Sequence, residues 1–103
     1  MTERQGFVLR VKPACVEEYI EAHRQVWPEM LQALRNAGIR NYTIFRAGNE
    51  MFGYFEADDL QRASDYLAEK EVSARWQDAM AKLLEERVPD GGPAPLQEVF
   101  RLD

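Results

Sequence analysis

His23 is the only histidine among 103 residues, and it lies four residues after Tyr19 and four before Trp27. On a helix that spacing turns all three side chains to one side. Imidazole, with an unperturbed pKa of about 6.5, exchanges a proton near neutrality and is the commonest general acid or base. Tyr19 adds a phenolic donor and acceptor, Trp27 and Trp76 add flat apolar faces, and Tyr42 begins a strand adjacent to the helix. A sugar presents hydroxyls at its edges and C–H bonds on its faces, so polar tips beside aromatic platforms suit it. A histidine in an apolar stripe is more often only buried and hydrogen-bonded, and a single Trp or Tyr is as readily core as site. The constellation, not any one residue, carries the reading.

Other chemistries find less support. One cysteine and one histidine cannot supply a structural zinc site, and no pair has metal-ligand spacing, so no metal is expected. Gly91 and Gly92 lie among prolines rather than between a strand and a helix, which is no phosphate cradle. Cys15 opens a helix without a histidine close in sequence and reads as a small inert residue. Glu17 with Glu18, and Glu85 with Glu86, read as solvated helix faces. Thirteen basic against 18 acidic residues give a net charge of −5, with the basic ones scattered, which argues against nucleic acid. No apolar run approaches a membrane span, and a lone cysteine behind a polar N-terminus points to the cytoplasm.

The elements that must position these residues follow from periodicity. Gly6 to Lys12, with Phe7, Leu9 and Val11 on one face, predicts a strand ended by Pro13. From Cys15, the stripe Val16, Tyr19, Ile20, His23, Trp27, Met30, Leu31 and Leu34 predicts a helix stopped at Gly38 and kinked or restarted at Pro28. Asn41 to Arg46 and Met51 to Glu56 predict two antiparallel strands joined by the four residues Ala47 to Glu50. Asp58 with Gln61 resembles a capping box opening a helix to about Lys70. Val72, Trp76, Met80, Leu83 and Leu84 mark a second helical stretch, with a break near Ser73. A loop over Pro89 to Pro95 then leads to a last alternating strand from Leu96 to Leu102.

The order βαββαβ predicts one α+β domain over residues 1–103, a ferredoxin-like antiparallel sheet with helices on one face. The other face, on which Phe45 and Phe55 are expected, needs cover, and a second copy packed sheet to sheet supplies it. A homodimer is therefore expected.

Glu17-Glu18-Tyr19, His23, Trp27-Pro28-Glu29, Asn41-Tyr42, Arg75-Trp76 and the closing Leu96-Gln97-Glu98-Val99-Phe100 together resemble the L-rhamnose mutarotase family, in order and nearly end to end. The resemblance implies a dimeric α+β barrel that interconverts the α and β anomers of L-rhamnose without a cofactor. It further implies His23 as the catalytic proton donor, and Tyr19, Tyr42 and Trp76 at sugar-contacting positions; Trp27 matches a motif position but not a catalytic one. Where the family carries a Trp-Trp pair this chain has Trp76-Gln77, so Gln77 offers the substrate an amide in place of an apolar platform. The hairpin near Gly48 is also shorter. Rival readings are a mutarotase for another deoxysugar such as L-fucose, a cofactor-independent monooxygenase-like protein, and a non-catalytic sugar-binding barrel.

Overall fold

The computed structural model describes residues 1–86, 88 and 93–102. Strands β1 (Glu3–Arg10), β2 (Arg40–Ala47) and β3 (Glu50–Ala57) form an antiparallel sheet in the order β1-β3-β2. Helices α1 (Val16–Arg24) and α2 (Pro28–Asn36) follow β1, and α3 (Leu60–Ala68) and α4 (Glu71–Ala81) follow β3. This is the expected α+β, ferredoxin-like arrangement.

Cross-strand pairs Phe7 with Gly53, Leu9 with Met51 and Gln5 with Phe55 fix which side chains share a face. One face carries Phe7, Met51 and Ala57, all buried, and the helices cover it. Here Val11 and Met51 pack with Val16 and Tyr19 of α1 and with Leu83 and Leu84 beyond α4. Each such buried side chain contributes about 1.5–3 kcal/mol. Gly53 makes room for this core: a Cβ there would collide with the ring of Phe7, which lies across the strand. The opposite face carries Val8, Phe52, Tyr54, Thr43 and Phe45. Phe45 stands there as expected, 67% exposed. Phe55 does not: its register places it on the helix-covered side, stacked on Tyr42 at 5.2 Å.

The restart at Pro28 is as expected. Trp27 adopts ψ 133°, the extended conformation that a following proline imposes, and α2 begins with Pro28 in its first turn. Gly38, at φ 89°, closes α2 in a Schellman motif, with the Ile39 N–H donating to the Leu34 carbonyl at 3.0 Å and that of Gly38 to Arg35 at 3.0 Å.

Several boundaries differ from expectation. The hairpin turns through Gly48 and Asn49 alone, because Gly48 supplies φ 61°. Asp59, not Asp58, caps α3, its carboxylate accepting from the Arg62 N–H at 3.0 Å, while Asp58 takes the Arg40 guanidinium at 3.0 Å. The α3–α4 break falls at Glu69 and Lys70, and Ser73 is buried inside α4. Leu83 and Leu84 lie past the helix: the Lys12 N–H donates to Leu83 at 2.8 Å and the Glu85 N–H to Arg10 at 2.9 Å, extending the end of β1.

The fourth strand is absent from the described sheet. Among the described residues, one backbone hydrogen bond, from the Leu96 N–H to the Gly6 carbonyl at 2.8 Å, ties this segment to β1, beside the Arg4–Glu98 pair at 2.7 Å. The other end of that edge is already taken by residues 83–85. Val99, Phe100 and Leu102, all at least 80% exposed, find no apolar surface on their own sheet. Residues 89–92 of the expected loop lie outside the described residues.

Candidate active site

Helix α1 presents His23 one turn after Tyr19, and the turn itself sets the imidazole's orientation. The Nδ1–H of His23 donates to the backbone carbonyl of Tyr19 at 2.8 Å. A carbonyl oxygen can only accept, so Nδ1 holds the proton and Nε2 is left with its lone pair. The imidazole lies 4.3 Å from the Tyr19 ring and 5.3 Å, T-shaped, from Trp76, which the register of α4 brings across from the far end of the fold. Trp27, at the α1–α2 break, closes edge-on against Trp76 at 5.1 Å. The Arg75 guanidinium covers the Trp27 ring and pairs with Glu29 at 3.6 Å.

The sheet carries a second cluster of rings. Tyr42 stacks on Phe55 and meets Phe7 edge-on at 6.2 Å. Tyr42 as a whole is 42% exposed. Desolvation, and after it the neighbouring Tyr19, pushes its pKa above the ordinary phenol value. Burial raises Tyr19 to about 12. Both phenols stay protonated at neutral pH, so they donate and accept hydrogen bonds but take up no proton.

Burial lowers the pKa of His23, and the bond to the Tyr19 carbonyl opposes this only in part. The resting imidazole at pH 7 is therefore neutral, with Nε2 ready to accept. Ring contacts thus join Tyr19, His23, Trp76 and Trp27 in one cluster between α1 and α4, while Tyr42 belongs to a second cluster with Phe55 and Phe7, near enough to Tyr19 for the two phenols to influence one another. The surface cavity beside the first cluster is lined by Glu18, Glu21, Gln25, Trp27 and Trp76, and not by Tyr19, His23 or Tyr42. Gln77, next along α4, is exposed and carries no described contact to these groups. Sequence reasoning missed Phe55, assigned to the wrong face, and gave Phe7 no part beyond the core. The glycine opposite Phe7 was the available signal, since it marks where a ring lies over the strand.

Fold and aromatic cluster define a small α+β protein that seats its one histidine among tyrosine and tryptophan rings. The sequence profile of L-rhamnose mutarotase matches residues 4–102. The L-rhamnose mutarotase of Oceanobacillus iheyensis is 34% identical over 98% of this chain and 99% of its own length. The crystal structure of L-rhamnose mutarotase from Formosa agariphila superposes with a TM-score of 0.79 at 32% identity, covering 98% of this chain and 99% of that one. The chain belongs to the L-rhamnose mutarotase family and is, with it, an isomerase of sugar anomers. A putative antibiotic biosynthesis monooxygenase from Nitrosomonas europaea, at TM-score 0.63 and 20% identity over 84% of this chain and 88% of its own, shares the fold alone.

Proposed function

We propose that the chain interconverts the α and β anomers of L-rhamnose with Nε2 of His23 as the atom that carries the proton. The observation behind this is the His23–Tyr19 carbonyl bond, which leaves Nε2 as the imidazole's one basic nitrogen. The C1 hydroxyl and the ring oxygen are bonded to the same carbon, so a single nitrogen can serve both. Nε2 takes the C1 hydroxyl proton as C1 becomes a carbonyl and the bond from C1 to the ring oxygen breaks. The ring oxygen then receives that proton from Nε2–H and becomes the C5 hydroxyl. Rotation about C1–C2 and the reverse steps close the ring on the other face of the aldehyde. Tyr19 and Tyr42, held protonated, orient the sugar hydroxyls, and Trp76 meets its C–H face.

Acid–base assistance of this kind contributes about 10²–10⁴-fold. Saturation-transfer NMR on equilibrated L-rhamnose tests the proposal. Exchange between anomers accelerated by the protein and not by His23→Ala supports it, and full activity of His23→Ala sinks the assignment. A panel including L-fucose tests the preference for L-rhamnose and shows whether Gln77, exposed as it is, reaches the substrate.

The working unit in this proposal is a homodimer. The open face of the sheet carries Phe45 and Phe52, and the segment beyond Leu96 carries further exposed apolar side chains; a second copy covers both. A monomeric mass by light scattering at micromolar concentration overturns it. Cys15, a free thiol, suits a cytoplasmic setting, and no helix among the described residues is long and apolar enough to cross a membrane.

A further inference from the structure

Among the described residues Asn41 is the only one other than glycine with a positive φ, 51°. It sits where the hairpin register breaks. Arg40 pairs with Glu56 and Thr43 with Tyr54, so β2 spends three steps where β3 spends two. The extra residue is a β-bulge. In an unbroken strand Arg40 and Tyr42 would share a face; the bulge leaves Arg40 on the open side and Tyr42 on the helix-covered side, against Phe55.

The bulge is held from the open side. The Asn41 amide donates to Glu56 Oε1 at 3.0 Å, and the Tyr54 hydroxyl donates to Glu56 Oε2 at 2.7 Å. The Thr43 hydroxyl donates to the Asn41 carbonyl at 3.2 Å. The Tyr54 hydroxyl, and after it the Asn41 amide, hold the Glu56 carboxyl below the usual carboxylate range, so it is a charged acceptor at neutral pH. Asparagine is the residue that combines tolerance of the left-handed conformation with a side chain able to donate to that acceptor. Left-handed residues at bulges beside a site aim a neighbouring side chain.

We infer that Asn41 is a positioning residue whose left-handed bulge, clasped by Glu56, aims the Tyr42 hydroxyl toward the sugar. The inference rests on the reading of Tyr42 as a sugar contact. Anomer exchange at saturating and subsaturating L-rhamnose, measured for Asn41→Ala, Asn41→Gly, Tyr42→Phe and Asn41→Ala/Tyr42→Phe, tests it.

Misplacing a reacting or orienting group by about an ångström costs up to about a hundredfold; for a hydroxyl that only orients, the expected loss in kcat/KM for Asn41→Ala is about tenfold. Asn41→Gly keeps the φ and loses only the clasp, so it should recover most of that loss, and it serves as the variant that folds if Asn41→Ala does not. In the Tyr42→Phe background, Asn41→Ala should cost less than about twofold more, because the group it aims is gone. Equal losses in both backgrounds, or a lowered melting temperature with unchanged kinetics, overturn the inference. A silent Tyr42→Phe removes the sugar contact first and the inference with it, whereas a damaging Tyr42→Phe beside a silent Asn41→Ala removes the inference alone.

Discussion

The two faces of the sheet are drawn from the same three strands yet are finished differently. On one, Phe7 is 4% exposed and Met51 1% exposed, under helices of their own chain, and every aromatic has a partner ring or core neighbour. On the other, Phe45 is 67% exposed and Phe52 38% exposed. Alternation along a strand decides which residue faces where, but not what lies above it. The chain completes only the face that its own helices cover.

Substitutions can sharpen that contrast or break it. The largest effect belongs to His23, where the alanine variant should lose about 10²–10⁴-fold in anomer exchange while still folding. Phe7→Ala should cost about 3–5 kcal/mol in denaturant unfolding, the value for a buried aromatic, whereas Phe45→Ala should leave the unfolding of the monomer nearly unchanged and weaken association instead. Equal losses for the two phenylalanines in a dilute monomer would erase the distinction between the faces. Gly53→Val forces the Phe7 ring out of place and should cost about 1–3 kcal/mol, read as a lowered denaturation midpoint.

A smaller effect is expected from pH. The folded chain holds His23 below the ordinary imidazole value of 6.5, so its contribution to stability is fully present above that pH. It is lost as pH falls through 6.5 toward the lower folded value, because the unfolded chain takes the proton more readily. Exchange activity should show an acid limb below pH 6.5 for the same reason. Unfolding of wild type and His23→Gln followed from pH 7.5 to 5 should converge as the pH falls, and parallel curves would contradict the burial of His23. Smallest of all, Glu98→Gln breaks the exposed pair with Arg4, and a change within about 1 kcal/mol is expected in thermal unfolding.

Much of this was legible in residue spacing. The i, i+4 relation of Tyr19 and His23 placed both on α1, and Pro28 announced the break that sets Trp27 against Trp76. Trp76 itself was found by helical period, though nothing local says that α4 delivers it to α1. Phe55 was misplaced because two adjacent aromatics, Tyr54 and Phe55, suit either parity, and only pairing with Gln5 decides between them. The strand expected from Leu96 to Leu102 has the right alternation, but a strand forms only where another edge accepts its hydrogen bonds. That edge was partly taken by residues 83–85, which sequence periodicity had assigned to a helix. The bulge at Asn41 had no periodic signature, since one extra residue leaves the composition of β2 unchanged.

The Asn49 side chain donates to the Val11 carbonyl at 2.9 Å while the Val11 N–H donates to the Asn49 carbonyl at 2.9 Å, and Asn49 also reaches Glu85 at 3.1 Å. The hairpin tip is thereby stitched to the end of β1 rather than left free. A slip of one residue between β2 and β3 would put Thr43 on the helix-covered side in place of Tyr42, and the phenol there would be lost without any change in sequence. The stitch works as an indexing pin: it sets the count from which every inward and outward side chain of the hairpin is reckoned, at the end of the strands away from the Asn41 bulge.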